Sequence, residues 1–225
     1  MSRSMILFLV IGVPILALLL ACLGAATFIE NLTGLLLFVI GIAFLAGPPI
    51  YYMGTKQPYW LSGRGRISQE EKGDLSFWLI LPGFLLVFFG SPLEFSFLPV
   101  SIPRGVVLEG LGLLLFGLGL GLFIWARRTL RDQYSGHIQI NVDHILVITG
   151  PYHYVRHPAY SGYLLMTLGI VIGYSSLVGV ASVLLLLLPG ILYRVRLEEQ
   201  ILSNRFPMEY KQYARKTGCL IPKKK

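Results

Sequence analysis

Residues 161–199 read SGYLLMTLGIVIGYSSLVGVASVLLLLLPGILYRVRLEE. Two apolar runs, 160–175 and 177–193, are divided at Tyr174-Ser175-Ser176, and a charged stretch follows the second at once. The runs are continuous rather than alternating. They therefore fit helices in an apolar medium and not the strands of a closed barrel. Each has 16 or 17 residues, fewer than the roughly 20 that cross a bilayer upright. The pattern predicts a tight helical hairpin, tilted or shortened, with both polar ends on one side of the membrane.

Four further apolar segments precede this pair, at about 5–27, 33–53, 75–90 and 105–126. The chain has 225 residues, 55% hydrophobic and 13% charged, whereas a soluble domain carries roughly 25% charge. The expected fold is thus an all-α integral membrane protein with about six apolar helical segments. Residues 1–26 have the basic start and apolar core of a secretory signal, but the core is long and more spans follow. An uncleaved first span is expected.

Charge gives the orientation. With six spans, all of the 19 Lys and Arg except Arg104 fall on one side. Both termini and the loops 54–74 and 127–159 are therefore expected in the cytosol. The net charge of +8 then belongs to the cytosolic face and its anionic lipids, not to a nucleic-acid partner. Cys22 and Cys219 lie at opposite ends of the chain without a CxxC spacing, so neither a disulfide framework nor a metal site is expected. The glycine-rich run GLGLLLFGLGLG at 110–121 lacks the strand–turn–helix setting of a phosphate loop. Its Gly117 and Gly121 form a GxxxG, which predicts close helix packing.

Two polar clusters flank the hairpin. The first runs from Gln139 to Gly162 and contains GPYHYVRHPAYSG at 150–162; the second is RVRLEE at 194–199. Taken singly, Arg156 and Arg194 read as snorkelling anchors, Tyr152, Tyr154, Tyr160 and Tyr163 as an interfacial aromatic belt, and Glu198 and Glu199 as helix ion pairs with Arg194 or Arg196. A hairpin brings the clusters together, however. Carboxylates, guanidinium groups, imidazoles and phenols at lipid depth suit a charged ligand better than anchoring.

LVITGPYHYVRHPAYSGYLL (146–165) resembles the signature of the isoprenylcysteine carboxyl methyltransferase family, and RVRLEEQILSNRFPMEYKQYARKTGCLIP (194–222) resembles its C-terminal end. The resemblance covers about 137–222. N-terminal transmembrane helices are expected over 1–126 and a catalytic region over 127–225, the two forming one integrated domain. The resemblance concerns the second part. It implies an enzyme that moves a methyl group from S-adenosylmethionine to a lipid-like or prenylated acceptor, most simply a carboxylate, with membrane lipids as its other partners. By the same resemblance Gln139, His144, Ile145, Leu146, Val147, Tyr152, His157, Pro158, Ala159, Tyr160 and Glu198 are cofactor contacts. Arg194 and Arg156 are substrate contacts, and Arg194, Glu198 and Glu199 are the catalytic group. The expected location is the plasma membrane of a prokaryote. An NADPH-dependent membrane reductase of related C-terminal fold and a non-enzymatic lipid-binding protein are the competing readings.

Overall fold

The structure, a computed structural model, describes residues 35–37, 39, 40, 43, 67–70, 76–97, 105–133, 139–141 and 145–223. The expected segment 5–27 lies outside the described residues, and of segment 33–53 only the helical residues at 35–43 are described. Helix α1 runs Phe77–Leu85, widens into a π-helical turn over Leu86–Gly90 and continues through Ser91–Phe97. Helix α2 is Val106–Leu130 and α3 is Pro158–Gly173. Helix α4 runs Leu177–Ser182, passes a second π-helical turn at Val183–Leu187 and ends with Leu188–Arg205. Helix α5 is Pro207–Lys216. Three of these rods, Trp78–Phe97, Val106–Leu130 and Leu177–Arg205, are long and apolar enough to cross a membrane, while Pro158–Gly173 is shorter. The protein is a helical membrane protein.

Local chemistry sets the boundaries. Pro158 and Pro207 open their helices, where a missing N–H costs nothing and φ is already helical. Arg127 and Arg128 close α2, placing cations beside its unpaired carbonyls. The third segment extends to Phe97 instead of stopping near residue 90, and this carries Glu94 into the helix. Glu94 is buried at 6% exposure because α4 uses it as a cap. Its carboxylate accepts from Ser176 Oγ at 2.5 Å, from Leu177 N at 3.1 Å and from Val178 N at 2.9 Å. The turn between α3 and α4 therefore has its free N–H groups satisfied from another helix.

Glycines decide which helices touch. A Cβ at Gly119 would lie 2.6 Å from Met166 N, and one at Gly112 would lie 2.6 Å from Gly169 O. A Cβ at Gly162 would lie 2.7 Å from Gly119 O in return. Backbone thus meets backbone along α2 and α3, the means by which helices associate in lipid. Among the described residues, nothing lies within 4 Å of such an atom at Gly117 or Gly121. The GxxxG pair expected to pack is on the outer face, and the seam uses the seven-residue spacing of Gly112 and Gly119.

On the other side, Gly83 of α1 receives Leu187, Gly190 of α4 receives Ile80, and Ser182 Oγ donates to Gly83 O at 2.9 Å. Helix α3 therefore packs along α2 and α4 along α1. The two adjoin at their turn and at their polar ends, rather than along the length of a tight hairpin. Phe88, Phe116, Met166, Ile170 and Leu187 fill the core between the pairs.

Two short strands also form, which an all-helical expectation did not include. β1 (Ile67–Glu70) pairs antiparallel with β2 (Gln139–Asn141), Glu70 opposite Gln139, with an irregularity between Ile67 and Gln69. The ribbon joins the two long basic loops, 54–74 and 127–159, on one side of the helices.

Gly119→Leu should abolish the folded protein, because the added side chain meets backbone that cannot rotate away. Gly117→Leu should change the midpoint of thermal unfolding in detergent by only a degree or two. Equal losses in both would show that the Gly112–Gly119 seam is not the contact. Glu94→Ala should cost roughly 2–3 kcal/mol, since it strips a cap and leaves buried donors unpaired. Thermal unfolding of the variant measures this.

Candidate active site

The site begins with the loop that leads into α3. Gly150 has φ +59°, and a Cβ there would come within 2.9 Å of Thr129 Oγ1. The glycine lets the chain turn tightly against the end of α2 into a 3-10 turn over Gly150–His153. Pro151 and Tyr152 are buried in that turn. The chain then runs as Val155-Arg156-His157 into α3.

The C-terminal segment is strapped across this run. Val155 bridges to Gly218, Arg156 N donates to Gly218 O at 2.8 Å, and His157 N donates to Cys219 O at 3.1 Å. Ser161 Oγ donates to Leu220 O at 2.7 Å, and Tyr213 Oη donates to Tyr152 O at 2.6 Å. The end of the chain, 60 residues away in sequence, thus holds the loop in place.

Within this frame a line of alternating charge forms. Arg156 Nε donates to Glu199 Oε1 at 2.7 Å, and Nη2 lies 2.7 Å from the same oxygen. Its Nη1 donates to Thr217 O at 2.6 Å and Ala214 O at 3.2 Å, closing the end of α5. The His157 ring lies between both carboxylates: Nε2 is 3.4 Å from Glu199 Oε1 and Nδ1 is 3.4 Å from Glu198 Oε2. Tyr160 Oη donates to Glu198 Oε1. Arg194 Nε donates to Tyr160 Oη at 2.8 Å and is 3.4 Å from Glu198 Oε1, and Nη1 is 3.4 Å from Ser76 Oγ at the head of α1. The Tyr160 ring is inclined by 29° to that of His157, with centroids 5.9 Å apart.

Burial disfavours the charged imidazole of His157, but hydrogen bonds and charge from Glu198 and Glu199 outweigh it and raise its pKa. Only the imidazolium donates from both nitrogens. Burial also disfavours the charge on Arg156, and the Glu199 contact more than restores it. Burial raises the Cys219 thiol, with Glu199 adding to the rise. Burial likewise raises Tyr213, to about 12.

The structure brings together Arg156, His157, Tyr160, Arg194, Glu198 and Glu199. Pro158 forms the first turn of α3, and Ala159 packs against the core. Tyr152 contributes its backbone oxygen to the strap. Ile145 is exposed and Leu146 and Val147 are half-buried on the run leading to Gly150. Gln139 is in β2, where only its backbone is described, and His144 lies outside the described residues.

Three partners were not singled out in the sequence. Ser76 sits under Arg194, and Cys219 lies 3.9 Å from Glu199 Oε1. Tyr210 is buried beside Arg156 and Glu199, yet its hydroxyl makes no well-formed hydrogen bond among the described residues. The Glu-Tyr pair at 209–210 was the only signal for any of them.

Comparison with known proteins finds similarity over part of the chain. The family described as phospholipid methyltransferase matches residues 108–209, which span α2 to the start of α5. Two yeast relatives are named protein-S-isoprenylcysteine O-methyltransferase. That of Schizosaccharomyces pombe is 37% identical over 82 residues, 36% of this chain and 35% of the relative. That of Saccharomyces cerevisiae is 32% identical over 102 residues, 42% of this chain and 43% of the relative. The chain thus spans less than half the length of either relative. The matched segment includes α3 and α4, whose polar ends carry the charged cluster. The chain is thus similar, over part of its length, to the phospholipid methyltransferase family and to two protein-S-isoprenylcysteine O-methyltransferases.

Arg156→Ala should cost roughly 3 kcal/mol, because it leaves Glu199 and two carbonyls without their partner. It should also speed proteolytic trimming after residue 216, since the strap loses its tie. Unchanged thermal stability and trimming rate would show that Arg156 is not the fastening of the C-terminus.

Proposed function

We propose that the protein is an integral membrane methyltransferase that transfers a methyl group from S-adenosylmethionine to the carboxylate of a lipid-like acceptor. A prenylated cysteine is the acceptor we favour, by analogy with the named substrates of the two yeast relatives. The observation that carries this reading is the unbroken line Arg156–Glu199–His157–Glu198–Tyr160–Arg194 at the polar ends of membrane helices. The family match favours it over the reductase and lipid-binding readings.

The donor set fits the cofactor. S-adenosylmethionine carries an ammonium, a carboxylate, a sulfonium and a flat base, and supplies an activated methyl group. Glu198 and Glu199 offer acceptors to its cations. The cationic His157 ring offers a positive charge to its carboxylate, and the Tyr160 ring offers an aromatic face to a cation. The buried Tyr210 hydroxyl, without a well-formed partner among the described residues, is a further polar group available to a ligand. On the resemblance, Gln139, His144, Ile145, Leu146, Val147, Tyr152, Pro158 and Ala159 complete the cofactor surface.

An ionised carboxylate is already a nucleophile, so no residue has to remove a proton from it. The protein's contribution is then placement and exclusion of water. Arg194 is steadied by Tyr160 and Glu198 and aims a guanidinium at the acceptor. Its planar donors match a carboxylate at two points. Arg156 and Glu199 hold the loop that carries His157. A water-soluble donor reaches the polar end from the cytosol, and the acceptor chain arrives from the bilayer.

We place both termini and the two basic loops in the cytosol, in the plasma membrane of a prokaryote, with anionic lipids as neighbours. The pairing of β1 with β2, which joins those loops, supports a shared side.

Glu198→Gln should raise the apparent constant for the methyl donor at least tenfold. Arg194→Ala should impair acceptor use and leave donor affinity within about twofold, and Arg194→Lys should restore activity only in part. Donor affinity by calorimetry and turnover at varied S-prenylcysteine test the split. An amine-methylated product in place of a base-labile methyl ester would overturn the carboxylate assignment.

A further inference from the structure

We infer that His157, Glu199 and Cys219 form a binding site for a borderline-soft divalent cation of the zinc class. Their ligand atoms, an imidazole nitrogen, a carboxylate oxygen and a thiol sulfur, all lie within 4.8 Å of one another. His157 Nε2 is 3.4 Å and Cys219 Sγ 3.9 Å from Glu199 Oε1. Tetrahedral zinc, with bonds of about 2.0–2.3 Å, sets its ligand atoms roughly 3.3–3.8 Å apart. The three atoms thus need only small shifts to share an ion.

The surroundings favour this use of the histidine. His157 Nδ1 faces Glu198 Oε2 at 3.4 Å. When an ion binds, the proton on Nδ1 stays with that carboxylate, and the Nε2 lone pair goes to the ion in place of the proton it directs at Glu199. A carboxylate behind a ligating histidine is the usual way to set its tautomer and raise its basicity. The ring is 5% exposed, so it is already held in place.

Arg156 is the group that opposes a cation, since it contacts the same Glu199 oxygen. A carboxylate has two oxygens and about four lone-pair sites. A small rotation lets Glu199 keep Arg156 on one oxygen and give the other to the ion. Charge also balances: binding of one dication releases one proton from the imidazolium and one from the Cys219 thiol, so the net charge of the cluster is unchanged. Three protein ligands leave a fourth position for water or another small ligand.

Cobalt(II) added to the full-length, detergent-purified protein tests the site without reference to methyl transfer. One ion per chain should bind, with a thiolate-to-cobalt charge-transfer band and tetrahedral d–d bands, and zinc should displace it. Cys219→Ser should lose the band and weaken cobalt binding at least tenfold, while Cys22→Ser should retain both. Absence of the band from the unaltered protein, or its survival in Cys219→Ser, would overturn the site. If Cys219→Ser does not fold, alkylation of Cys219 in the Cys22→Ser protein gives the second measure. Zinc should slow that reaction at least tenfold, and an unchanged rate again refutes the site. Donor binding measured on the same preparations reports the methyltransferase reading separately.

Discussion

The pair of adjacent carboxylates at Glu198 and Glu199 is the constraint around which this protein is organised. Neither could be placed at the polar end of a membrane helix without compensation, because burying a charge costs several kcal/mol unless partners replace its water. Glu199 receives Arg156, Glu198 receives Tyr160 and Arg194, and His157 sits between the two. Every partner comes from a different part of the chain than α4's own apolar stretch. The demand for charge compensation therefore pulls the loop before α3, the end of α4 and the C-terminus into one place.

The helices that present this cluster are held by a different force. In lipid there is no hydrophobic gain from bringing two apolar helices together. What remains is close packing, and the glycines of α2 and α3 supply it by letting the two backbones touch at Gly112, Gly119, Gly162 and Gly169. Helix α4 is matched to α1 by Gly83 and Gly190 and is fixed at its start by Glu94. The polar end of α3 thus has a firm support on α2, and the polar end of α4 has one on α1. The site lies where the two supports converge, with Arg194 reaching across to Ser76.

The strap made by residues 217–220 connects the two forces. It lies outside the apolar segments and pairs through its backbone with the chain entering α3. Backbone pairing of this kind is insensitive to which side chains are present, so it left no apolar or charge pattern to read. It nevertheless brings Cys219 beside Glu199 and His157, and this makes the cation site a property of the same structure that stabilises the loop.

The sequence by itself determined that the chain is a helical membrane protein and that residues 150–162 and 194–199 hold related chemistry. Continuous apolar runs, basic loops and a local motif are properties of neighbouring residues, and those survive without a fold. The tertiary structure decided which glycines touch, that α3 and α4 each lean on a different helix, that α1 extends to Phe97 so that Glu94 can cap α4, and that Arg156 fastens the C-terminus. It also decided that Ser76, Tyr210 and Cys219 join the site. Each of these depends on distances between residues 20 to 120 positions apart. Such distances are set by how helices pack and by where buried charge finds a partner, and no periodicity along the chain records either.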